Sequence, residues 1–68
     1  MVNEHINAAV DDSGLKQKYI AEQIGMSEPT FSALLSGKRG VDVDEFFAIC
    51  QVLQKTPDEL YHYERKVV

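Results

Sequence analysis

A three-residue segment, Gly25-Met26-Ser27, separates two short stretches in which apolar residues recur at helical spacing, over 16–24 and over 28–36. Gly25 suits the left-handed conformation that often ends a helix, because it has no Cβ atom to clash. Ser27 is a good N-cap, and Pro29 stands in the first turn of the second stretch, where the N–H group that it lacks would have no acceptor. Two short helices joined this closely must pack against each other.

The rest of the chain also carries helix signals, and no stretch of it is typical of a strand. Apolar residues follow Val2 at i+4, i+7 and i+8, which predicts a first helix that ends near Gly14. Asp42 with Glu45 three residues later forms a capping-box pattern, and Thr56 begins a similar one, so a fourth and a fifth helix are expected. The sequence therefore predicts an all-α fold of about five helices.

Length and composition limit the architecture further. The chain has 68 residues, room for one small core, so we expect a single domain over 1–68. Apolar residues make up 44% of it and charged residues 26%, which is typical of a globular protein. The longest apolar run, 46–50, falls far short of the roughly 20 residues that span a bilayer, so no membrane partner is expected. No secretory signal is visible, which predicts a cytoplasmic protein.

Net charge and charge distribution point in different directions. The formal charge of −4 argues against a nucleic-acid partner. Residues 13–41, however, hold four basic and two acidic residues, whereas the flanks hold three basic and nine acidic residues. The part of the chain that contains the short helix pair is therefore locally basic.

A helix pair with so short a turn forms a helix-turn-helix arrangement, whose second helix can enter the major groove of DNA. Ala21 is small where the two helix backbones must approach, and Phe31 and Leu34 supply apolar contacts. An ordinary helical hairpin in a small bundle would use the same residues for packing alone. The adjacent basic cluster favours the DNA-binding interpretation.

Residues 15–39 read LKQKYIAEQIGMSEPTFSALLSGKR and resemble the Cro and phage-repressor family of helix-turn-helix regulators, often called the XRE family. The likeness continues through 46–61, where the segment TPDEL at 56–60 looks like the family's common start to a fifth helix. The resemblance implies a five-helix, repressor-like domain that binds a palindromic operator as a dimer. The short length suits a phage or mobile-element origin.

The resemblance also implies which residues contact DNA. Gln17, at the start of the second helix, matches the family's phosphate contact, and Lys16 and Lys18 flank it with charge suited to phosphate. Without such a contact, Gln17 would be an ordinary surface residue. Along the third helix, the residues on or near the side not used by the core would face DNA. These are Ser27, Glu28, Pro29, Thr30, Ser32, Ala33 and Ser36.

The third helix carries hydroxyl and methyl groups rather than the Arg, Lys, Asn or Gln side chains that make the strongest base contacts, so the signal for sequence preference is weak. Glu28 could accept a hydrogen bond from a cytosine amino group or only complement the helix dipole. Lys38 and Arg39 follow this helix where family members commonly grip phosphate or reach toward the minor groove. Gly37 and Gly40 permit close backbone approach there, and the alternative is a solvated loop.

A second surface is a candidate for pairing two copies of the chain. Several apolar residues lie off the strictest core positions, where they could form a dimer surface or complete a small core. These are Tyr61, Tyr63, Val67, Val68, Phe47 and Leu35.

Motifs for catalysis or metal binding are missing from the sequence. Cys50 falls at a core-facing position of the fourth helix, which favours packing over redox sensing. His5 and His62 are far apart in the chain and belong to no paired-ligand motif, so no metal site is predicted. Without a nucleophile motif or a glycine-rich phosphate cradle, we expect no enzyme activity, no cofactor and no small-molecule ligand.

The sequence thus predicts a DNA-binding transcriptional regulator, a repressor that occludes a promoter. A rival hypothesis is a protein-interaction module, such as an antirepressor or an antitoxin-like component, that uses the same fold to sequester a protein partner. The acidic total and the contact-poor third helix favour the rival. The basic residues at expected phosphate positions favour DNA.

Overall fold

Five helices joined by short turns make up residues 1–66, the part of the chain that the computed structural model describes. They are α1 (Val2–Ser13), α2 (Gln17–Gln23), α3 (Glu28–Leu35), α4 (Val43–Leu53) and α5 (Pro57–Tyr61). No strand occurs within these residues, so the prediction of an all-α, five-helix fold is confirmed. None of the described helices is long and apolar enough to cross a membrane.

The helix starts follow local sequence signals. Ser27 caps α3 by accepting a backbone N–H with its side chain. Both α4 and α5 begin with a reciprocal capping box, formed by Asp42 with Glu45 and by Thr56 with Glu59. These starts were all predicted, because a cap depends only on residues within one turn of each other.

The helix ends follow local signals less completely. Gly25 after α2 and Gly37 after α3 adopt the left-handed conformation, with φ angles of 71° and 81°. Gln54 ends α4 with φ 55°, a conformation that a residue with a Cβ atom rarely adopts and that the sequence did not predict. Helix α2 is one residue shorter at each end than predicted, because Lys16 and Ile24 are its caps.

One core receives side chains from all five helices. Its buried members are Ile6, Ala9, Val10, Ile20, Ala21, Phe31, Leu34, Leu35, Ile49, Cys50, Leu53 and Leu60. Cys50 is 4% exposed, as its predicted packing role requires. Burial raises the pKa of the Cys50 thiol, which keeps it in the less reactive protonated form.

Leu35 resolves one alternative that the sequence left open. It is only 6% exposed and belongs to the core, so of the two roles expected for it, a dimer surface or completion of the core, the structure assigns the core. Helix α3 packs against both α1 and α2. Its buried side is therefore formed by Phe31, Leu34 and Leu35 together.

Residues after α5 fold back onto the C-terminal end of α1. The backbone N–H of Lys66 donates to the Asp12 carboxylate at 2.9 Å, and the Tyr63 hydroxyl donates to the same carboxylate at 2.7 Å. Arg65 forms an ion pair with Asp11 at 2.9 Å. The bonds from Lys66 and Tyr63 stabilise the charged carboxylate and so lower the pKa of Asp12.

Candidate nucleic-acid interface

Helices α2 and α3 form a pair whose turn is held by the backbone and by the core. The N–H of Met26 donates to the carbonyl oxygen of Ala21 at 2.9 Å across the turn. Ala21 is 1% exposed, and Ile20 and Phe31 beside it are fully buried. These contacts fix the position of α3 relative to α2, as a helix-turn-helix pair requires.

Most of the α3 residues predicted to face DNA are exposed. Ala33 is half-buried, so its methyl group is less accessible than its neighbours. Glu28 is exposed in the first turn, where a carboxylate complements the helix dipole. The exposed members of the predicted set are Ser27, Glu28, Pro29, Thr30, Ser32 and Ser36.

The hydroxyl groups of the two residues that cap α3, Ser27 and Ser36, are engaged in local hydrogen bonds. Ser27 Oγ donates to Thr30 Oγ1 at 2.7 Å, and Ser36 Oγ donates to the carbonyl oxygen of Ala33 at 3.1 Å. Ser32 is exposed and takes part in neither bond. The Thr30 hydroxyl accepts from Ser27 and keeps its own hydrogen to donate elsewhere. Ser32 and Thr30 are therefore the hydroxyl groups best able to reach an external acceptor.

Three exposed lysines flank this helix pair. Lys16 and Lys18 lie at the start of α2, and Lys38 follows α3. None of the ion pairs formed within residues 1–66 involves any of them. Their charges are therefore available to an external anion.

Arg39 is bound differently from these lysines. Its Nη1 and Nη2 atoms donate to the two carboxylate oxygens of Glu45 at 3.2 and 3.1 Å. Nη1 also lies 3.9 Å from the Sδ atom of Met26 in the turn between α2 and α3. The guanidinium thus links the loop after α3 both to α4 and to that turn, and Glu45 neutralises its charge.

The start of α2 has no side-chain cap. Its N-cap residue is Lys16, whose side chain accepts no hydrogen bond, and Gln17 is exposed as the first helical residue. The first N–H groups of a helix need acceptors outside the helix. Lys16 and Lys18 stand on either side of Gln17 in the chain, so their charge adds to the attraction of this helix start for an anion.

A shallow apolar groove lies beside α4 and α5. It has a volume of about 270 Å³, and its lining residues are Val2, Val41, Asp42, Val43, Phe46, Phe47 and Tyr61. Phe47 is 49% exposed and Tyr61 is 55% exposed, so these members of the predicted dimer surface lie at the surface. Tyr63 is half-buried against the core and bound to Asp12, and Val67 and Val68 lie outside the described residues.

Sequence reasoning missed two contributors to this region. Glu45 was identified only as a capping residue, yet it also holds Arg39. Asn3 was not singled out at all, although it is buried and bonded to the end of α3 and to the loop beyond it. Spacing in the sequence carries no signal for either contact, because each joins elements that meet only in the folded protein.

Comparison with known proteins adds one positive finding. Residues 6–60 match a family model described as helix-turn-helix, which covers most of the chain and all of α2 and α3. Comparisons with curated proteins and with solved structures each give no significant match. The matched family consists of DNA-binding regulators of transcription.

Proposed function

This chain belongs to the helix-turn-helix family of DNA-binding transcription regulators, and from this premise we propose that it is a repressor that binds a palindromic operator as a dimer. The observation that carries the proposal is the placement of Lys16, Lys18 and Lys38. These three exposed cations stand at the two ends of the α2–α3 pair in the chain, and none of them is paired with a carboxylate within residues 1–66. A cationic border beside a helix of small side chains suits the major groove of DNA.

The two ends of this border would hold the phosphate backbone. Lys16, Gln17 and Lys18 would contact it at the start of α2, where uncapped N–H groups add to the attraction. Lys38 would contact it beyond the end of α3. Arg39 can join this set only if a phosphate replaces Glu45 at its guanidinium group.

Base recognition would come from α3. Ser32 and Thr30 can donate to or accept from base edges, and Pro29 and the partly accessible Ala33 can touch a thymine methyl group. The hydroxyl groups of Ser27 and Ser36 already donate to Thr30 and to Ala33. These two residues would therefore make van der Waals contact with the groove rather than hydrogen bonds to bases. Glu28 would accept from a cytosine amino group or, failing that, stabilise the helix start.

Pairing of two copies would use the apolar groove beside α4 and α5. Its lining residues come from α1, α4, α5 and the loop before α4, and none comes from α2 or α3. Two copies could therefore pair there while both keep their lysine-flanked sides open. A dimer would place two α3 helices on half-sites about 34–36 Å apart, one turn of the double helix. By covering such a site in a promoter, the protein would block transcription.

Selection of bound sequences from a randomised duplex pool at low salt tests the proposal. We expect recovery of a palindrome, and we expect Ser32→Ala or Thr30→Ala to change which sequences are recovered. Lys38→Ala with Arg39→Ala should weaken binding to all sequences and flatten its salt dependence, because phosphate contacts are independent of sequence. Failure of the native protein to bind any duplex at low salt would contradict DNA binding itself.

The dimer has its own test. Phe47→Asp places a charge in the groove, so we expect a lower dimer fraction in sedimentation and weaker binding to the selected palindrome. Binding to a single half-site should stay unchanged, because Phe47 lies outside α2 and α3. An unchanged dimer fraction would show that the copies pair elsewhere.

A second candidate function is sequestration of a protein partner. The exposed Phe47 and Tyr61 favour it, since such apolar side chains commonly mark protein contacts. In that case the randomised pool would yield no sequence, and the Lys38 and Arg39 substitutions would leave partner binding unchanged. The Phe47→Asp variant would lose the partner instead.

A further inference from the structure

Asn3, in the first turn of α1, is the one buried residue among residues 1–66 that has a polar side chain. It is 3% exposed, whereas the other residues with so little exposure are apolar. Burying an amide costs free energy unless its polar atoms find partners. The other buried residues of α1 are apolar, so an apolar side chain at position 3 would be enough for packing.

The amide of Asn3 reaches two carbonyl oxygens on either side of the segment that follows α3. Its Nδ2 atom donates to the carbonyl oxygen of Leu34 at 2.8 Å and to that of Arg39 at 2.9 Å. Leu34 lies in the last turn of α3, and Arg39 lies in the loop before α4. The Asn3 side chain is therefore bonded to the backbone both before and after Lys38.

Other contacts of this loop give the Lys38 side chain no partner among residues 1–66. The N–H of Lys38 donates to the carbonyl oxygen of Ala33 at 2.9 Å, and the Arg39 side chain is held by Glu45. Gly37 and Gly40 flank the segment and allow the backbone many conformations when it is not restrained. The bonds from Asn3 remove much of that freedom before any ligand binds.

We propose that Asn3 is a positioning residue for DNA binding, which holds the loop after α3 so that Lys38 meets a phosphate without further ordering. The inference rests on the proposed DNA-binding function. A side chain fixed in advance loses less entropy on binding, so the contact that it makes contributes more to affinity. Without Asn3, Lys38 would remain present and charged but would contact phosphate less effectively.

A double-mutant cycle tests this coupling. Affinity is measured for the native protein, Asn3→Ala, Lys38→Ala and the double variant on a fluorescent duplex of about 20 base pairs at several salt concentrations. Because phosphate contacts do not depend on sequence, any duplex serves. We expect Lys38→Ala to weaken binding severalfold and to reduce the magnitude of the salt slope by about 0.9, the value for one phosphate. Asn3→Ala should do nearly the same, and the double variant should lose little more than either one.

Controls separate positioning from general stability. Val10→Ala removes core contacts of α1 away from the loop, so it should lower the urea midpoint while keeping the native affinity and the full effect of Lys38→Ala. Folded fractions are measured for each variant by circular dichroism. If Asn3→Ala does not fold, Asn3→Ser keeps one donor and should show partial coupling to Lys38.

The outcomes distinguish this inference from the function on which it rests. If the losses from the Asn3 and Lys38 substitutions multiply, or if Val10→Ala shows the same coupling, Asn3 is only a structural residue and the inference fails while DNA binding stands. If the native protein binds no duplex at low salt, both the proposed function and the inference fail.

Discussion

At the start of α4, two side chains satisfy the first N–H groups, whereas at the start of α2 no side chain does so. Asp42 accepts the N–H of Glu45 at 2.7 Å, and Glu45 accepts the N–H of Asp42 at 3.1 Å. The N-cap of α2 is Lys16, which cannot accept a hydrogen bond. Carboxylates surround the first turn of α4, while Lys16 and Lys18 flank that of α2.

The start of α2 lacks the stabilising hydrogen bonds that side chains supply at the start of α4. A good cap contributes about 1 kcal/mol, and α3, α4 and α5 each have one. The start of α2 lacks that contribution, as does the start of α1, and in the proposed complex a DNA phosphate would accept the free N–H groups of α2. Departures from local stability rules of this kind are expected at functional sites. We therefore expect substitutions at the start of α2 to change both stability and DNA binding, and a substitution of the cap of α5 to change stability alone.

The largest effect is expected from closing the start of α2. Lys16→Asp supplies an N-cap and a favourable charge, so the free energy of unfolding should rise by about 0.5–1 kcal/mol. DNA affinity should fall by about tenfold or more, because a carboxylate replaces a cation beside the phosphates. Urea unfolding and fluorescence anisotropy measure the two quantities. Lys16→Ser, which supplies a cap without adding negative charge, should show a smaller loss of affinity. Unchanged affinity in both variants would remove α2 from the proposed interface.

Removing the ion pair between Arg39 and Glu45 of α4 should strengthen DNA binding. Glu45→Gln removes the charge that neutralises Arg39, so affinity should rise by about threefold and the salt slope should steepen by up to about 0.9. Stability should fall by about 1 kcal/mol, because an amide has one acceptor oxygen and no charge where the carboxylate accepts two hydrogen bonds from Arg39.

Asp44→Asn is the matched control, since it removes one carboxylate from the same turn without touching Arg39. An equal rise in affinity for both variants would mean that net charge, rather than release of Arg39, is responsible.

Removing a cap outside the proposed interface should change stability alone. Thr56→Ala deletes the side chain that accepts the N–H of Glu59 at 3.1 Å, so the free energy of unfolding should fall by about 1 kcal/mol. Thr56→Ser keeps the hydroxyl and should stay near the native value. DNA affinity should be unchanged in both variants under conditions where they are folded. A loss of affinity in the folded Thr56→Ala protein would extend the interface to α5.

The smallest effect concerns pH. The pKa of Asp12 is lowered in the folded protein by bonds from Lys66 and Tyr63, so its contribution to stability is present above its ordinary value of 3.8. That contribution is lost as the pH falls through the lower folded value. We therefore expect the urea midpoint to drop slightly less between pH 7 and pH 3 in Asp12→Asn than in the native protein. An identical drop would show that the contact of Asp12 with the last described residues adds nothing to stability.

Much of the fold could be predicted from the sequence because its helix boundaries are local. Ser27, Asp42 and Thr56 cap helices within one turn, and Gly25 and Gly37 end helices through their own backbone freedom. The end of α4 at Gln54 was missed, since a glutamine carries no such signal. Local rules succeed where the interacting atoms are a few residues apart.

The candidate site could be predicted only in part. The resemblance to the XRE family identified the exposed residues of α3 and the lysines beside it, and their roles on DNA remain predictions. The sequence left open whether Leu35 lies in the core or at the surface, and it gave no sign that Arg39 pairs with Glu45. Both depend on which helix α3 and its following loop pack against.

The sequence by itself thus determined five helices, the short turn between α2 and α3, and a basic middle on an acidic chain. Helical periodicity, caps and charge are properties of neighbouring residues, so they can be read before the chain folds. Only the tertiary structure decided that Glu45 pairs with Arg39 and leaves Lys38 without a carboxylate partner within residues 1–66. It also decided that the Asn3 side chain bonds to the end of α3 and to the loop that follows it. Those contacts join residues that are up to 36 positions apart, and only the packing of α1 against both α3 and α4 brings their atoms within bonding distance.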